Sequence, residues 1–533
     1  MKRLFRHFTI YKTQSLLLLY ISFVFIACKE DIGDGKSPIP FSRYSESISF
    51  QSIILNTEVK FSVYLPADYE KEKEKQYGTV YLLHGWGDNE TAWFKEGKID
   101  KIINHLEETG AISQMIYIVP QGFKTYYVDQ FDGKFNYMQM FTKEFVPYID
   151  SVFQTKAESR HRAVMGYSMG GYGALILPYL NPGLFSISIP LSMSWRTGEQ
   201  YCSEPQSVWD LQWGKIFGGA GKSGEDRLTD YYLTHDPFTF FKQNSLTASK
   251  LDIFMDCGNE EEQLAITAIN LHNLMRKNEI LHQMRIRNGA HTWDYWRSGV
   301  REALIFISEK MNNNLFSEIN KITNFASGIS GKTINKSLNE INISITIPVD
   351  YEKGNIMHNT VYMAYSDFGN RSAEHLQIRL VLDSLQKNKN FIYVSFDVDE
   401  LNKSGIKFED IVNFIDANYR TGKNYYNRVL IGNKKAGNFL WKSIETETKL
   451  THAGFFFDAH TPESIDNLQG DYYYISICDF GVNYTSAAEL YLACREQNKE
   501  HNFRILNGVD CFDSFLYMLH ESISHIGLKL NKY

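Results

Sequence analysis

The chain is poor in cysteine and in surplus positive charge, and each shortage excludes something. Its 533 residues hold six cysteines. Apart from Cys28, the remaining Cys202, Cys257, Cys478, Cys494 and Cys511 are odd in number and lack CxxC spacing, so neither a disulfide framework nor a zinc site is expected. Against 62 acidic residues stand 55 Lys and Arg, a formal charge of −7. With no basic footprint, nucleic acid is not an expected partner. With 43% hydrophobic and 22% charged residues, the composition is that of a globular protein, and neither disorder nor a coiled coil is expected. Long apolar runs are equally scarce. Beyond residue 27 none approaches the roughly 18 residues of a membrane-crossing helix.

What is present begins with the N-terminus. Lys2, Arg3, Arg6 and Lys12 precede a 13-residue apolar run, SLLLLYISFVFIA, at 15–27. That is the build of a secretory signal rather than a span. Its end, Phe25-Ile26-Ala27-Cys28, resembles a bacterial lipoprotein processing box, with Phe25 where leucine is usual. The resemblance implies a signal peptide over 1–28 and lipidation at Cys28. Lys29-Glu30-Asp31 resembles an export tag, so lipid anchoring at the outer membrane or cell surface is expected.

The rest of the chain repeats itself. FSVYLPADYEK (61–71) matches ISITIPVDYEK (343–353), and TVYLLHGWGDN (79–89) matches TVYMAYSDFGN (360–370). RAVMGYSMGG (162–171) matches RVLIGNKKAG (428–437), and IRNGAHTWDYW (286–296) matches ILNGVDCFDSF (505–515). Four matches in one order indicate a duplication. The Asn-, Ser- and Gly-rich stretch between the copies places a linker at 312–330, separating domains 29–311 and 331–533. TVYLLHG and LDIFMDC read as buried strands and LAITAINLHNLMRKN as an amphipathic helix. The expected fold class is α/β: two tandem domains, each a mostly parallel sheet flanked by helices.

Gly166-Tyr167-Ser168-Met169-Gly170 fits G-x-S-x-G between a short strand and a small-residue helix start, the setting of a nucleophile elbow. A serine needs a base held by an acid. Among His235, His272, His282 and His291, only His291 lies in a Gly-rich loop after a strand; His272 and His282 read as structural. The loop after LDIFMDC offers Asp256, Glu260, Glu261 and Glu262 as acids.

Taken together, YLLHGWGD, GYSMGGYGA, CGNEEEQ and NGAHTWDYW resemble the esterase D/feruloyl esterase-like branch of the α/β-hydrolases, over residues 47–310. The resemblance implies a serine esterase working through an acyl-enzyme, with Ser168, His291 and an acid at Glu261, where the family pattern has Asp; Asp256 and Glu260 stay open. It further implies an oxyanion hole from the backbone N–H groups of Met169 and Trp86, and no cofactor or metal. Implied substrates are feruloyl or acetyl esters of extracellular oligo- or polysaccharide. Trp93, Tyr126, Tyr127, Trp195 and Trp296 are candidate stacking surfaces or core. A siderophore esterase or acyltransferase, and a non-catalytic glycan-binding protein, are the alternatives.

The second copy lacks the chemistry. Lys434 replaces Ser168, Asp510 replaces His291, Tyr365-Ser366-Asp367 replaces the HGW loop, and Tyr484 falls loosely at the Glu261 position. A silent, buttressing domain is expected. Asp397, Asp399 and Glu400 read as a solvated loop rather than a calcium site.

Overall fold

The computed structural model describes residues 43–243, 250–316, 331–366, 377–378, 380–382, 391–446, 450–459, 471–479, 481, 483–506, 508 and 512–530. Cys28, the signal segment, most of the linker, Asp367, Asp510 and Cys511 lie outside them.

Sixteen strands form one sheet. In the first half they are β1 (Tyr44–Ser52), β2 (Thr57–Tyr64), β3 (Gly78–Leu83), β4 (Met115–Pro120), β5 (Arg162–Tyr167), β6 (Ile187–Leu191), β7 (Asp252–Gly258) and β8 (Gln283–Arg287). In the second they are β9 (Lys332–Leu338), β10 (Ile341–Ile347), β11 (Asn359–Tyr365), β12 (Phe391–Asp397), β13 (Arg428–Asn433), β14 (Ala453–Phe457), β15 (Tyr472–Cys478) and β16 (Glu500–Leu506). The spatial order is β1-β2-β4-β3-β5-β6-β7-β8-β16-β15-β14-β13-β11-β12-β10-β9. Read inward from either edge, it is the same eight-strand arrangement.

From β4 and β3 through to β8, and from β12 and β11 through to β16, neighbours run parallel. Helices cover both faces, so β3, β4 and β5 are buried at every residue and read as unbroken apolar runs instead of alternating ones. The helices that matter below are α1 (Met169–Leu180), α2 (Glu262–Lys277), α3 (Trp293–Met311), α4 (Lys435–Thr446), α5 (Tyr484–Glu496) and α6 (Phe512–Leu530).

The sequence reading places a sheet in each copy; the structure joins the two. β8 and β16 pair antiparallel, Ile286 opposite Ile505. Each copy's last strand would otherwise present an open edge, a liability that pairing removes.

The duplication extends to individual bonds. Arg162 pairs with Asp150, and Thr155 Oγ1 donates to Asp150 Oδ1 (2.7 Å). Arg428 pairs with Asp416, and Thr421 Oγ1 donates to the matching Oδ1. The Tyr69 hydroxyl accepts the Gln154 N–H (3.1 Å) and the Tyr351 hydroxyl the Arg420 N–H (2.8 Å). In each copy the Arg–Asp pair ties the strand carrying the elbow to the helix before it, and the tyrosine holds the loop between them.

The acidic run at 397–400 is a strand end and helix cap, not a solvated loop. Asp397 is 2% exposed and accepts the N–H groups of Asp399 (2.7 Å) and Glu400 (3.3 Å), capping Val398–Ser404. Cys202, Cys257, Cys478 and Cys494 are free, the last three buried. Among the described residues no acidic, His and Cys cluster could hold a metal, and no helix is long and apolar enough to cross a membrane.

Candidate active site

The site is assembled at the carboxyl ends of β5, β7 and β8, where an open parallel sheet places its ligand-facing loops. Ser168 follows β5 and precedes α1 with φ 56° and ψ −121°, a conformation that ordinary side chains rarely adopt. Glycine makes that turn possible. A Cβ at Gly166 would sit 2.2 Å from the Gly170 carbonyl oxygen, and one at Gly170 2.3 Å from that of Leu83. The backbone is thus packed against itself, and Ser168 has nowhere to point but outward.

His291 Nε2 is 2.9 Å from Ser168 Oγ, and its Nδ1 is 2.7 Å from Glu261 Oε2. The carboxylate of Glu261 is 1% exposed while the imidazole is 38% exposed, so the acid is dry and the base opens to the ligand side. Glu261 Oε1 accepts the Gly258 N–H (2.8 Å) and the Ser192 hydroxyl (2.5 Å). These bonds leave Oε2 for the histidine and orient it.

The other acids are committed elsewhere. Asp256 forms a two-point pair with Arg287, Nε at 2.7 Å and Nη2 at 3.0 Å, and also accepts the Tyr295 hydroxyl. Glu260 and Glu262 are exposed. The remaining histidines stand apart: His235 bonds the Tyr231 carbonyl through Nδ1 (2.8 Å), and His272 and His282 bond each other (2.8 Å) in the interior.

The HGW loop lies against the elbow. A Cβ at Gly85 would be 2.7 Å from the Tyr167 ring and 3.4 Å from Ser168 Cβ, which brings the loop's backbone beside the serine. His84 pins the loop. Its Nδ1 lies 2.8 Å from the Gly85 carbonyl oxygen, and its Nε2 lies 2.8 Å from both the Gly122 nitrogen and Gln121 Oε1. Burial lowers its pKa and so disfavours the charged ring. Met169 is the first residue of α1, so its N–H is among the first-turn donors without an intrahelical acceptor. Those N–H groups and the helix dipole favour negative charge at this point.

The five aromatic candidates need correction as stacking surfaces. Trp93, Tyr126, Tyr127 and Trp195 are each 0% exposed and Trp296 is 6% exposed. Trp93 donates to the Leu83 carbonyl (3.1 Å), Tyr127 to that of His84 (2.9 Å), and Trp195 to Asp236 (3.0 Å) while stacked on Tyr172. Tyr126 bonds Ser194 Oγ (3.1 Å). They face inward because an elbow on a thin sheet needs a filled core beneath it. Trp296 is closest to the chemistry: its Nε1 donates to Ser192 Oγ (2.9 Å) and its ring meets His291 edge-on at 5.0 Å.

Sequence reasoning missed Ser192. Its signal was a small polar residue just after β6, too common to single out. In the structure it sits at φ 44° and links Trp296 to Glu261.

Residues 52–307 match the family model Esterase, described as "Putative esterase". An endo-1,4-beta-xylanase/feruloyl esterase of Xylanibacter ruminicola is 32% identical over 167 residues, 30% of this chain and 22% of that protein. An endo-1,4-beta-xylanase Y of Acetivibrio thermocellus is 30% identical over 132 residues, 22% of this chain; the chain thus spans about a fifth or less of the length of these two relatives, 22% and 11%. An acetyl esterase of Caldicellulosiruptor saccharolyticus is 24% identical over 275 residues, 49% of this chain and 97% of that protein. Among solved structures, a ferulic acid esterase is 25% identical with a TM-score of 0.42, covering 50% of this chain and 98% of that one. Residues 52–307, just under half of the chain, are thus similar to the esterase family.

Proposed function

We propose that the chain hydrolyses carboxylic esters through an acyl-enzyme on Ser168. The observation that carries this is the unbroken line from Ser168 Oγ through His291 to Glu261, at 2.9 and 2.7 Å. Ser168 Oγ attacks the ester carbonyl carbon and its proton passes to His291 Nε2. Glu261, bonded at Nδ1, holds the ring in place and stabilises the imidazolium. The oxyanion meets the N–H groups of Met169 and Trp86; each such donor is worth about 3–4 kcal/mol of barrier. The intermediate collapses, the carbon–alkoxide bond breaks, and the alcohol leaves with the proton from Nε2. Water then attacks the acyl-enzyme by the same route, releasing the acid and restoring Ser168.

The relatives' names, a feruloyl esterase joined to a xylanase and an acetyl esterase, support a substrate class. Both fit acyl groups on plant polysaccharide such as xylan. Screening the purified chain against acetyl, feruloyl and siderophore-type esters tests this choice. Preference for the siderophore ester would overturn it, and binding of acylated xylan without turnover would favour a glycan-binding protein. A fluorophosphonate should label Ser168 alone.

Anchoring through Cys28 completes the reading, placing the enzyme at the outer membrane or cell surface. Cys28→Ala should release the protein from the membrane fraction, and retention there would refute the lipid anchor.

A further inference from the structure

The strand that delivers His291 has its outer edge covered by the second copy. On β8, Arg285 is 2% exposed and donates from Nη1 to Asp479 Oδ2 (2.9 Å) of the second copy, itself 1% exposed. The same oxygen faces the Met284 N–H (3.4 Å), and Arg285 Nε reaches Glu302 on α3 (2.7 Å). Three residues before His291, Asn288 Oδ1 accepts Asn502 Nδ2 of β16 (3.2 Å).

Among the described residues, the ion pair of this bracing is one-sided. The first copy's counterpart of Asp479 is Asn259: Asn259 Oδ1 accepts the Gly289 N–H (3.2 Å) as Asp479 Oδ1 accepts that of Gly508 (3.1 Å). The counterpart of Arg285 is Arg504, which donates to its neighbour's carbonyl (3.3 Å) as Arg285 does (2.8 Å). The position matching Asp479 holds a neutral asparagine, so the Arg285–Asp479 pair that holds β8 has no charged equivalent between Asn259 and Arg504. A buried pair persists only with both charges present, since either alone is costly.

We infer that Asp479 and Asn502 are positioning residues for the first copy's catalytic base. Through Arg285 and Asn288 they fix the loop that carries His291, so the second copy, without chemistry of its own, is a working part of the first site. This rests on the reading of Ser168, His291 and Glu261 as catalytic, which Ser168→Ala tests first in the full chain. Loss of aryl acetate turnover in that variant upholds the reading. Retained turnover overturns both the reading and the inference.

The decisive variants are then Asn502→Ala, Asn288→Ala and their combination, with Tyr484→Leu as control. Tyr484 also crosses between copies, against the His272 ring (5.4 Å) and Arg276 (5.0 Å), but away from the His291 loop. Asn502→Ala should lower kcat about tenfold, within what small misplacement of a catalytic group costs, with KM unchanged. The double variant should be no worse than either single one, because both remove one bond. Amide hydrogen exchange at 287–291 should quicken in these variants and not in Tyr484→Leu. Asp479→Asn should lower kcat similarly, with a lower Tm. Unchanged kcat in Asn502→Ala, additive losses in the double variant, or an equal loss in Tyr484→Leu would each overturn the inference.

Discussion

At the end of β5 the chain turns through Ser168 at φ 56°, and at the end of β13 through Lys434 at φ 49°. The Ser168 N–H donates to the Leu191 carbonyl (3.0 Å), and the Lys434 N–H to the matching carbonyl of Phe457 (2.9 Å). The second elbow thus keeps its backbone after losing its hydroxyl. The acid position makes the same point differently. The Glu261 N–H closes a turn onto the Gly258 carbonyl (3.2 Å), and the Gly481 N–H closes the same turn onto Cys478 (2.8 Å). Gly481 therefore stands at the acid position, not Tyr484 as the sequence alignment suggests; Tyr484 begins α5 at the copy interface.

The carboxylate has nevertheless survived, from another residue. The Gly258 N–H donates to Glu261 Oε1 (2.8 Å), whereas the matching Cys478 N–H donates to Asp458 Oδ1 (3.0 Å). Asp458 is the counterpart of Ser192, sharing its positive φ of 47°. A buried N–H left without an acceptor costs about 1–3 kcal/mol, so this need persists whether or not a histidine requires an acid. The comparison separates what catalysis needs from what the fold needs.

The largest test of that separation is at the hydroxyl. Ser168→Ala and His291→Ala should each lower kcat for an aryl acetate by roughly 10^5-fold or more, without a change in Tm, because triad members act as a unit. Glu261→Gln should cost on the order of 10^3–10^4-fold, as an amide cannot stabilise the imidazolium. Asp256→Asn, which unpairs Arg287, should lower Tm more and kcat less; the reverse ranking would move the acid to Asp256.

Glycine 170 comes next. Gly170→Ala, copying Ala436 of the second copy, places a methyl 2.3 Å from the Leu83 carbonyl and should cost about 100-fold in kcat by shifting the elbow. Ala436→Gly should leave kcat unaffected.

A smaller effect is on stability. Burial lowers the pKa of His282 to about 4 from an ordinary value of 6.5, and lowers that of His272 as well. The unfolded chain therefore binds more protons in this window, so stability is full above pH 6.5 and is lost as pH falls toward 4. His282 alone accounts for roughly 3 kcal/mol of that loss. Denaturant melts between pH 7 and 4 check it, and His272→Phe should flatten the slope.

The smallest expected effect is Lys434→Ala, which should leave kcat within about twofold, as for exposed substitutions generally. A loss rivalling that of Ser168→Ala, with the fold intact, would show that the second elbow reacts.

Local pattern made much of this legible. Unbroken apolar runs marked β3 and β7, G-x-S-x-G marked the elbow, and a Gly-rich loop after a strand marked His291. Each is a short-range consequence of backbone sterics and burial, so residue identity suffices. The duplication was equally visible, because the bonds that repeat, such as Arg162–Asp150 and Arg428–Asp416, require the same residues at the same spacing. Choosing Glu261 over Asp256 was not legible from the residues alone. Both are acids at the end of one strand, and only the packing of Arg287 and Tyr295 against Asp256 leaves Glu261 to the histidine. Nor could the sequence show that aromatics near the motifs face inward, that Asp458 replaces Glu261 on a backbone N–H, or that β8 and β16 merge two sheets into one. Those depend on contacts between residues up to some 200 positions apart, such as Arg285 with Asp479. Which of several suitable partners meets which is decided by the three-dimensional packing of the chain.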